Sequence, residues 1–123
     1  MALTPNGRLA ELTNAIVSKT DDGTVNWERT SVEGVYGATL GNFVIHVSEE
    51  LRPRSTDADY TITLYDSYGE VIERFSDPDL SGQTAEGHSG FYASMRHLYR
   101  SAAQQASGAN EAIDAILKIL KES

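Results

Sequence analysis

The stretch of sequence that decides the fold reads Val35-Tyr36-Gly37-Ala38-Thr39-Leu40-Gly41-Asn42-Phe43-Val44-Ile45-His46-Val47. On both sides of Gly41-Asn42, residues suited to the core recur at every second position, and their neighbours fall on the opposite face. A period of two is typical of a half-buried β-strand. Gly-Asn between two such runs is a compact hairpin signal. The stretch therefore predicts an antiparallel pair of strands, with these residues facing inward: Tyr36, Ala38, Leu40, Phe43, Ile45 and Val47.

The strand pattern continues on both sides of this hairpin. Val25 and Trp27 alternate with polar neighbours before it, Tyr60 and Ile62 alternate with threonine after it, and a last run extends over 70–75. The connections are short and carry no helical pattern, whereas parallel pairing needs long crossovers. The sequence thus predicts a five-stranded antiparallel meander.

Apolar residues at helical spacing mark both ends of the chain. The stripes are Leu9, Leu12 and Ile16 in the first segment, Phe91, Met95, Leu98 and Ala102 in the second, and Ile113, Ile116, Leu117 and Leu120 in the third. We expect one N-terminal helix and two C-terminal helices packed on one face of the sheet, in a single α+β domain covering 1–123. Ile119 lies beside the last stripe, where it either widens the buried face or forms a homodimer contact.

Composition limits the classes of function. The chain has 123 residues, of which 40% are hydrophobic, and its 18 acidic and 10 basic residues give a net charge of −8. This charge argues against general binding to nucleic acid or an anionic membrane, and it suits either a basic protein partner or solubility alone. The absence of cysteine excludes disulfides and thiolate zinc sites. Without an apolar run of about 20 residues or a signal-peptide pattern, we predict a cytoplasmic protein.

One segment resembles the opening of a calcium loop. Asp77, Asp79 and Ser81 place oxygen ligands at positions one, three and five, and glycine follows at six. Position twelve, however, is His88 rather than a bidentate glutamate, and a strand rather than a helix precedes the segment. The alternative to a metal site is an ordinary polar turn.

A second group is basic. Arg96 and Arg100 are four residues apart on one helix face, with His97 beside them, so they can clamp a phosphate or carboxylate. The alternative is pairing with the chain's own acids. No histidine pair has metal-ligand spacing, and no nucleophile, Walker or dinucleotide-binding motif is present. We therefore expect a protein without cofactor and favour a non-catalytic one.

A third group lies around the turn after the fourth strand. Tyr65 and Tyr68 flank this turn on the outer phase of the sheet, and tyrosine is favoured in protein interfaces. The alternative is cross-strand pairing of tyrosine with threonine. The candidate partner-binding residues are Thr61, Thr63, Tyr65, Tyr68, Glu70 and Glu73.

Several pieces of the chain together carry a resemblance. They are Val25-Asn26-Trp27-Glu28, the Leu40-Gly41-Asn42 hairpin, Leu64-Tyr65-Asp66 with Gly69-Glu70-Val71, and Ala112-Ile113-Asp114-Ala115-Ile116-Leu117. In these pieces the chain resembles small uncharacterised bacterial and phage α+β proteins with an N-terminal helix, a strand meander and closing helices. The resemblance implies a prokaryotic or viral origin and this fold, and none of the pieces is a catalytic or cofactor motif.

These observations favour a non-catalytic acidic binding protein that masks or sequesters a partner, as inhibitors, immunity proteins, antitoxins and anti-defence factors do. One alternative is a homo-oligomeric protein that binds a small anionic, nucleotide-like ligand at the basic group. The other is a metal-dependent hydrolase that uses the acids of the calcium-like segment.

Overall fold

The computed structural model describes residues 5–51, 58–80 and 90–122. The helices are α1 (Pro5–Asp21), α2 (Asp77–Leu80), α3 (Gly90–Ala106) and α4 (Ala109–Glu122), and the strands are β1 (Glu28–Arg29), β2 (Val35–Leu40), β3 (Phe43–Leu51), β4 (Ala58–Tyr65) and β5 (Val71–Ser76). The predicted α+β class and order of elements are confirmed. The short helix α2 is an addition, in a segment for which the sequence predicts either a calcium-like loop or a polar turn.

The five strands form one antiparallel sheet in the order β1-β2-β3-β4-β5. Leu40 pairs with Phe43, so the hairpin turn consists of the two residues Gly41 and Asn42, as predicted. Gly41 has a φ of 60°, a backbone conformation that glycine adopts without steric cost. Phe43 shares the inner phase but lies at the end of the sheet, where it remains 53% exposed.

The core lies between the inner face of the sheet and the helices. Inner-face residues such as Val47 and Ile62 pair across β3 and β4, and both are fully buried. The helix α3 crosses this face and contacts β1, β2, β3 and β4, while α1 lies against α3 and adds Ile16 to the same cluster. The indole Nε1 of Trp27 donates to Thr20 Oγ1 at 3.0 Å, so the predicted inward tryptophan joins the start of β1 to α1.

The packing of α4 differs from the expectation that both C-terminal helices cover the sheet. Every described side chain from 111 to 122 is exposed, and α4 contacts only its chain neighbour α3 closely among the described elements. Among the described elements, α3 and α2 contact the sheet closely, and α1 packs against these two helices. The third apolar stripe therefore lies outside this packing and stays exposed.

Candidate functional site

A cleft of about 270 Å³ lies between α3 and the ends of β3 and β4. Its wall contains a chain of tyrosine rings: the Tyr60 centroid is 5.6 Å from that of Tyr92 and 5.5 Å from that of Tyr99. The Tyr99 ring in turn lies 5.5 Å from the Tyr36 ring. All three ring pairs are tilted, a favourable geometry for aromatic contacts. We call this site the tyrosine cleft.

The hydroxyl groups of the cleft are held by hydrogen bonds. The Tyr60 hydroxyl donates to the Glu49 carboxylate at 2.9 Å, and the Tyr99 hydroxyl donates to the Gly34 carbonyl at 3.0 Å. Burial, and next the hydrogen bond to Glu49, raise the pKa of Tyr60 to about 12. Burial, and next the neighbouring Tyr36, raise the pKa of Tyr99 to about 12. Both phenols therefore keep their protons at neutral pH and act as hydrogen-bonding groups rather than as bases.

The three residues of the basic group all lie on α3, as predicted, but they do not share one site. Arg96 and Arg100 line the tyrosine cleft, whereas the His97 Nε2 lies 2.7 Å from Asp21 Oδ1 on α1. Within the described ranges, neither Arg96 nor Arg100 forms an ion pair, so the pairing with the chain's own acids that the sequence allows is not seen there. Two exposed guanidinium groups thus stand beside the tyrosine rings, and His97 is occupied elsewhere.

The outer face of the sheet is closed at its centre. Thr61 and Thr63 lie on this face, as expected, but they are only 3% and 6% exposed. Arg74 on β5 forms an ion pair with Glu50 on β3, and this pair bridges the intervening strand β4. The two threonine side chains are therefore not available as an open contact surface.

His46 and Tyr65 extend this closed region. Their ring centroids are 4.6 Å apart, and burial lowers the pKa of His46 below its ordinary value. An imidazole with a lowered pKa is neutral at physiological pH. We read the pair as cross-strand packing, with His46 on β3 and Tyr65 on β4.

The remaining candidate partner-binding residues do not share one surface. Tyr68 is 88% exposed in the turn after β4, and its backbone amide and that of Glu70 both donate to Asp66 Oδ1. Glu73 pairs with Leu64, whose side chain packs against the core, so Glu73 lies on the inner side of the sheet. The set proposed from sequence is thus divided between both faces and the turn.

The two described acids of the calcium-like segment, Asp77 and Asp79, accept hydrogen bonds from backbone amides. Asp77 is 1% exposed, and its Oδ1 accepts a hydrogen bond from the Tyr60 amide at 2.7 Å. The Asp79 carboxylate accepts one from the Ser76 amide at 2.8 Å, which resembles one half of a capping box at the start of α2. Ser81 and His88 lie outside the described residues. In the described part of the chain, no group of three or more His, Asp or Glu side chains is placed to hold a metal ion.

The apolar face of α4 is exposed, whereas the sequence predicts that it is buried against the sheet. Ile113, Ile116, Leu117 and Leu120 are 48%, 54%, 45% and 64% exposed. We call these four residues the α4 stripe. The signal for it was present in the sequence, since the chain has three apolar helical stripes for one sheet face.

Comparisons with known proteins place the chain in no family. No family model, no curated protein and no solved structure shows significant similarity to it. Among the described helices, none is long and apolar enough to cross a membrane.

Proposed function

We propose that this chain is a non-catalytic binding domain that holds a protein partner on α4 and so masks or sequesters it. The observation that carries the proposal is the exposure of the α4 stripe. Contiguous exposed apolar patches on soluble proteins mark interaction sites, whereas single exposed apolar residues need no explanation. An amphipathic helix laid into an apolar groove is a common way in which such a stripe is recognised.

The free energy available from covering the stripe is large enough for specific binding. Full burial of one Leu or Ile side chain contributes about 1.5–3 kcal/mol. The four stripe residues together expose the equivalent of about two whole side chains, so covering them contributes roughly 3–6 kcal/mol from this helix alone. A partner adds a comparable apolar surface of its own.

The rest of the domain leaves α4 free for this role. Among the described residues, the core cluster is built from the sheet, the segment before β1, α1, α2 and α3, and none of its members belongs to α4. A partner can therefore bind α4 without disturbing the fold.

A pair of matched double variants tests the proposal. Ile113→Ser with Leu117→Ser removes apolar contacts from the stripe. Glu111→Ser with Lys118→Ser changes the opposite side of the same helix and leaves the net charge unchanged. Affinity capture with the wild-type chain as bait defines the bound proteins, and each variant is then compared with it at equal concentration.

We expect the stripe variant to lose the captured proteins and the polar-face variant to retain them. Both variants should keep the wild-type melting temperature in dilute solution, because neither touches the core. Equal capture by the wild type and the stripe variant would rule out α4 as the docking surface.

A second candidate function is supported by the tyrosine cleft. Arg96 and Arg100 lie beside tilted tyrosine rings, a combination that suits a small anion with a flat group attached. At about 270 Å³ the cleft is slightly smaller than the ~300–1,000 Å³ of most ligand pockets. A thermal-shift series with inorganic phosphate and nucleotides tests this candidate, because a ligand that binds only the folded state raises the melting temperature. No shift in the wild type, or the same shift in Arg96→Gln with Arg100→Gln, would exclude it.

A further inference from the structure

The α4 stripe has two flanks of different chemistry. Asp114 follows Ile113 and Lys121 follows Leu120, so the two charged residues lie two turns apart on the same side of the stripe. Both are exposed, and no ion pair joins either of them to another side chain in the described part of the chain. This flank therefore carries a negative charge near one end of the helix and a positive charge near the other.

The opposite flank of the stripe is apolar. Ala112 and Ile119 occupy it, again two turns apart, and Ile119 is 64% exposed. A helix that matches α4 must place a positive charge beside Asp114 and a negative charge beside Lys121. On the other flank it must place apolar groups. Charges that flank an apolar seam are the feature that selects partner and orientation in paired helices.

A second α4 helix, running antiparallel, meets both requirements. The two-fold axis of an antiparallel pair sets each flank against the same flank of the other copy. Asp114 of each copy then comes within reach of Lys121 of the other, and the apolar flanks meet each other. A parallel pair would set the charged flank against the apolar flank and leave both charges unmatched.

We propose that α4 pairs antiparallel with α4 of a second copy of this chain, Asp114 of each copy facing Lys121 of the other. The inference rests on the proposed role of α4 as a docking helix and names its partner. At 14 residues the helix makes a small interface, which corresponds to the weak, reversible class of association. We therefore expect a monomer–dimer equilibrium with a Kd in the micromolar range.

Sedimentation equilibrium of the full chain, from low to high micromolar concentration, tests the pairing. Asp114→Lys and Lys121→Asp each set like charges against each other twice in the symmetric dimer, and each should raise the dimer Kd roughly tenfold. The double variant Asp114→Lys/Lys121→Asp restores both pairs and should return the Kd to within about threefold of wild type. Ile113→Ser with Leu117→Ser should abolish the dimer. Far-UV circular dichroism confirms that each variant still folds.

The possible outcomes separate this inference from the proposed function. A dimer that both single variants weaken and the double variant restores supports antiparallel pairing. A monomer at every concentration, or a dimer whose Kd the double variant does not restore, overturns it. A monomer that still captures other proteins through the stripe leaves the proposed function standing, and a monomer without stripe-dependent capture removes both.

Discussion

The replacement Asp77→Ala decides whether the calcium-like segment is structural. The Asp77 carboxylate is 1% exposed and accepts a 2.7 Å hydrogen bond from the Tyr60 amide inside the sheet. Removing the acceptor leaves a buried N–H group unsatisfied, which costs about 1–3 kcal/mol, and bonds to charged groups lie near the upper end. We therefore expect Asp77→Ala to lower the free energy of unfolding by about 3 kcal/mol. For a chain of this length that loss corresponds to a decrease in melting temperature of roughly 9–15 °C.

Two further variants calibrate this result. Asp77→Asn keeps an oxygen acceptor in place and should lose less stability than Asp77→Ala. Asp79→Ala removes an exposed capping carboxylate, and caps of this kind contribute about 0.5–2 kcal/mol. Urea denaturation of the three variants, each with and without added calcium, gives the free energies directly.

Either of two results would contradict a structural role for Asp77. One is a loss below about 1 kcal/mol for Asp77→Ala, which would mean that the Tyr60 amide finds another acceptor. The other is a calcium-dependent rise in the stability of the wild type that Asp77→Ala abolishes. That result would show that the carboxylate binds a cation rather than the backbone.

Further predictions concern the core, the tyrosine cleft and the sheet. Leu98→Ala should cost about 2–5 kcal/mol because Leu98 is fully buried, whereas Leu117→Ala in dilute solution should leave the free energy of unfolding within about 0.5 kcal/mol of wild type. The pKa of Tyr99 rises from 10.0 in the unfolded chain to about 12 in the folded one, so the stability that its protonated hydroxyl contributes is complete below pH 10 and is lost between pH 10 and 12. Tyr99→Phe should flatten this decline in a pH series of urea melts, and an unchanged slope would show that the pKa of Tyr99 is not raised by folding. A Cβ at Gly37 would lie 3.2 Å from the His46 ring, so Gly37→Ala should cost about 1–3 kcal/mol by crowding, and an unchanged melting temperature would show that the ring moves aside without cost.

The sheet could be predicted from the sequence because its rules are local. Period-two alternation assigns inward and outward residues, and Gly41-Asn42 determines both the turn and the register of β2 against β3. The pattern also placed Trp27 in the core, although β1 itself begins one residue later. Each of these features depends on residues within a few positions of one another.

The candidate site could not be predicted in the same way, because it depends on packing between distant segments. Helical periodicity shows that α4 has an apolar side, but it does not say whether the chain's own sheet or another molecule covers that side. Likewise, the alternation in β4 predicts that Thr61 and Thr63 face outward, but it does not predict that they are buried. Their burial accompanies an ion pair between Arg74 and Glu50, which lie on the two neighbouring strands. The tyrosine cleft joins residues of β3, β4 and α3, and no short-range pattern connects these elements.

Thiol labelling at Leu117 tests most directly whether the α4 stripe serves contact between molecules. Because the chain contains no cysteine, Leu117→Cys gives a single reactive thiol in the stripe, and Lys118→Cys gives a matched thiol on the polar side. We predict that the Leu117→Cys thiol reacts rapidly in dilute protein and progressively more slowly as the concentration rises, while the Lys118→Cys thiol reacts rapidly throughout. Slow reaction of the Leu117→Cys thiol at every concentration would show that the stripe packs on its own domain. Equally rapid reaction at every concentration would show that no second copy covers it.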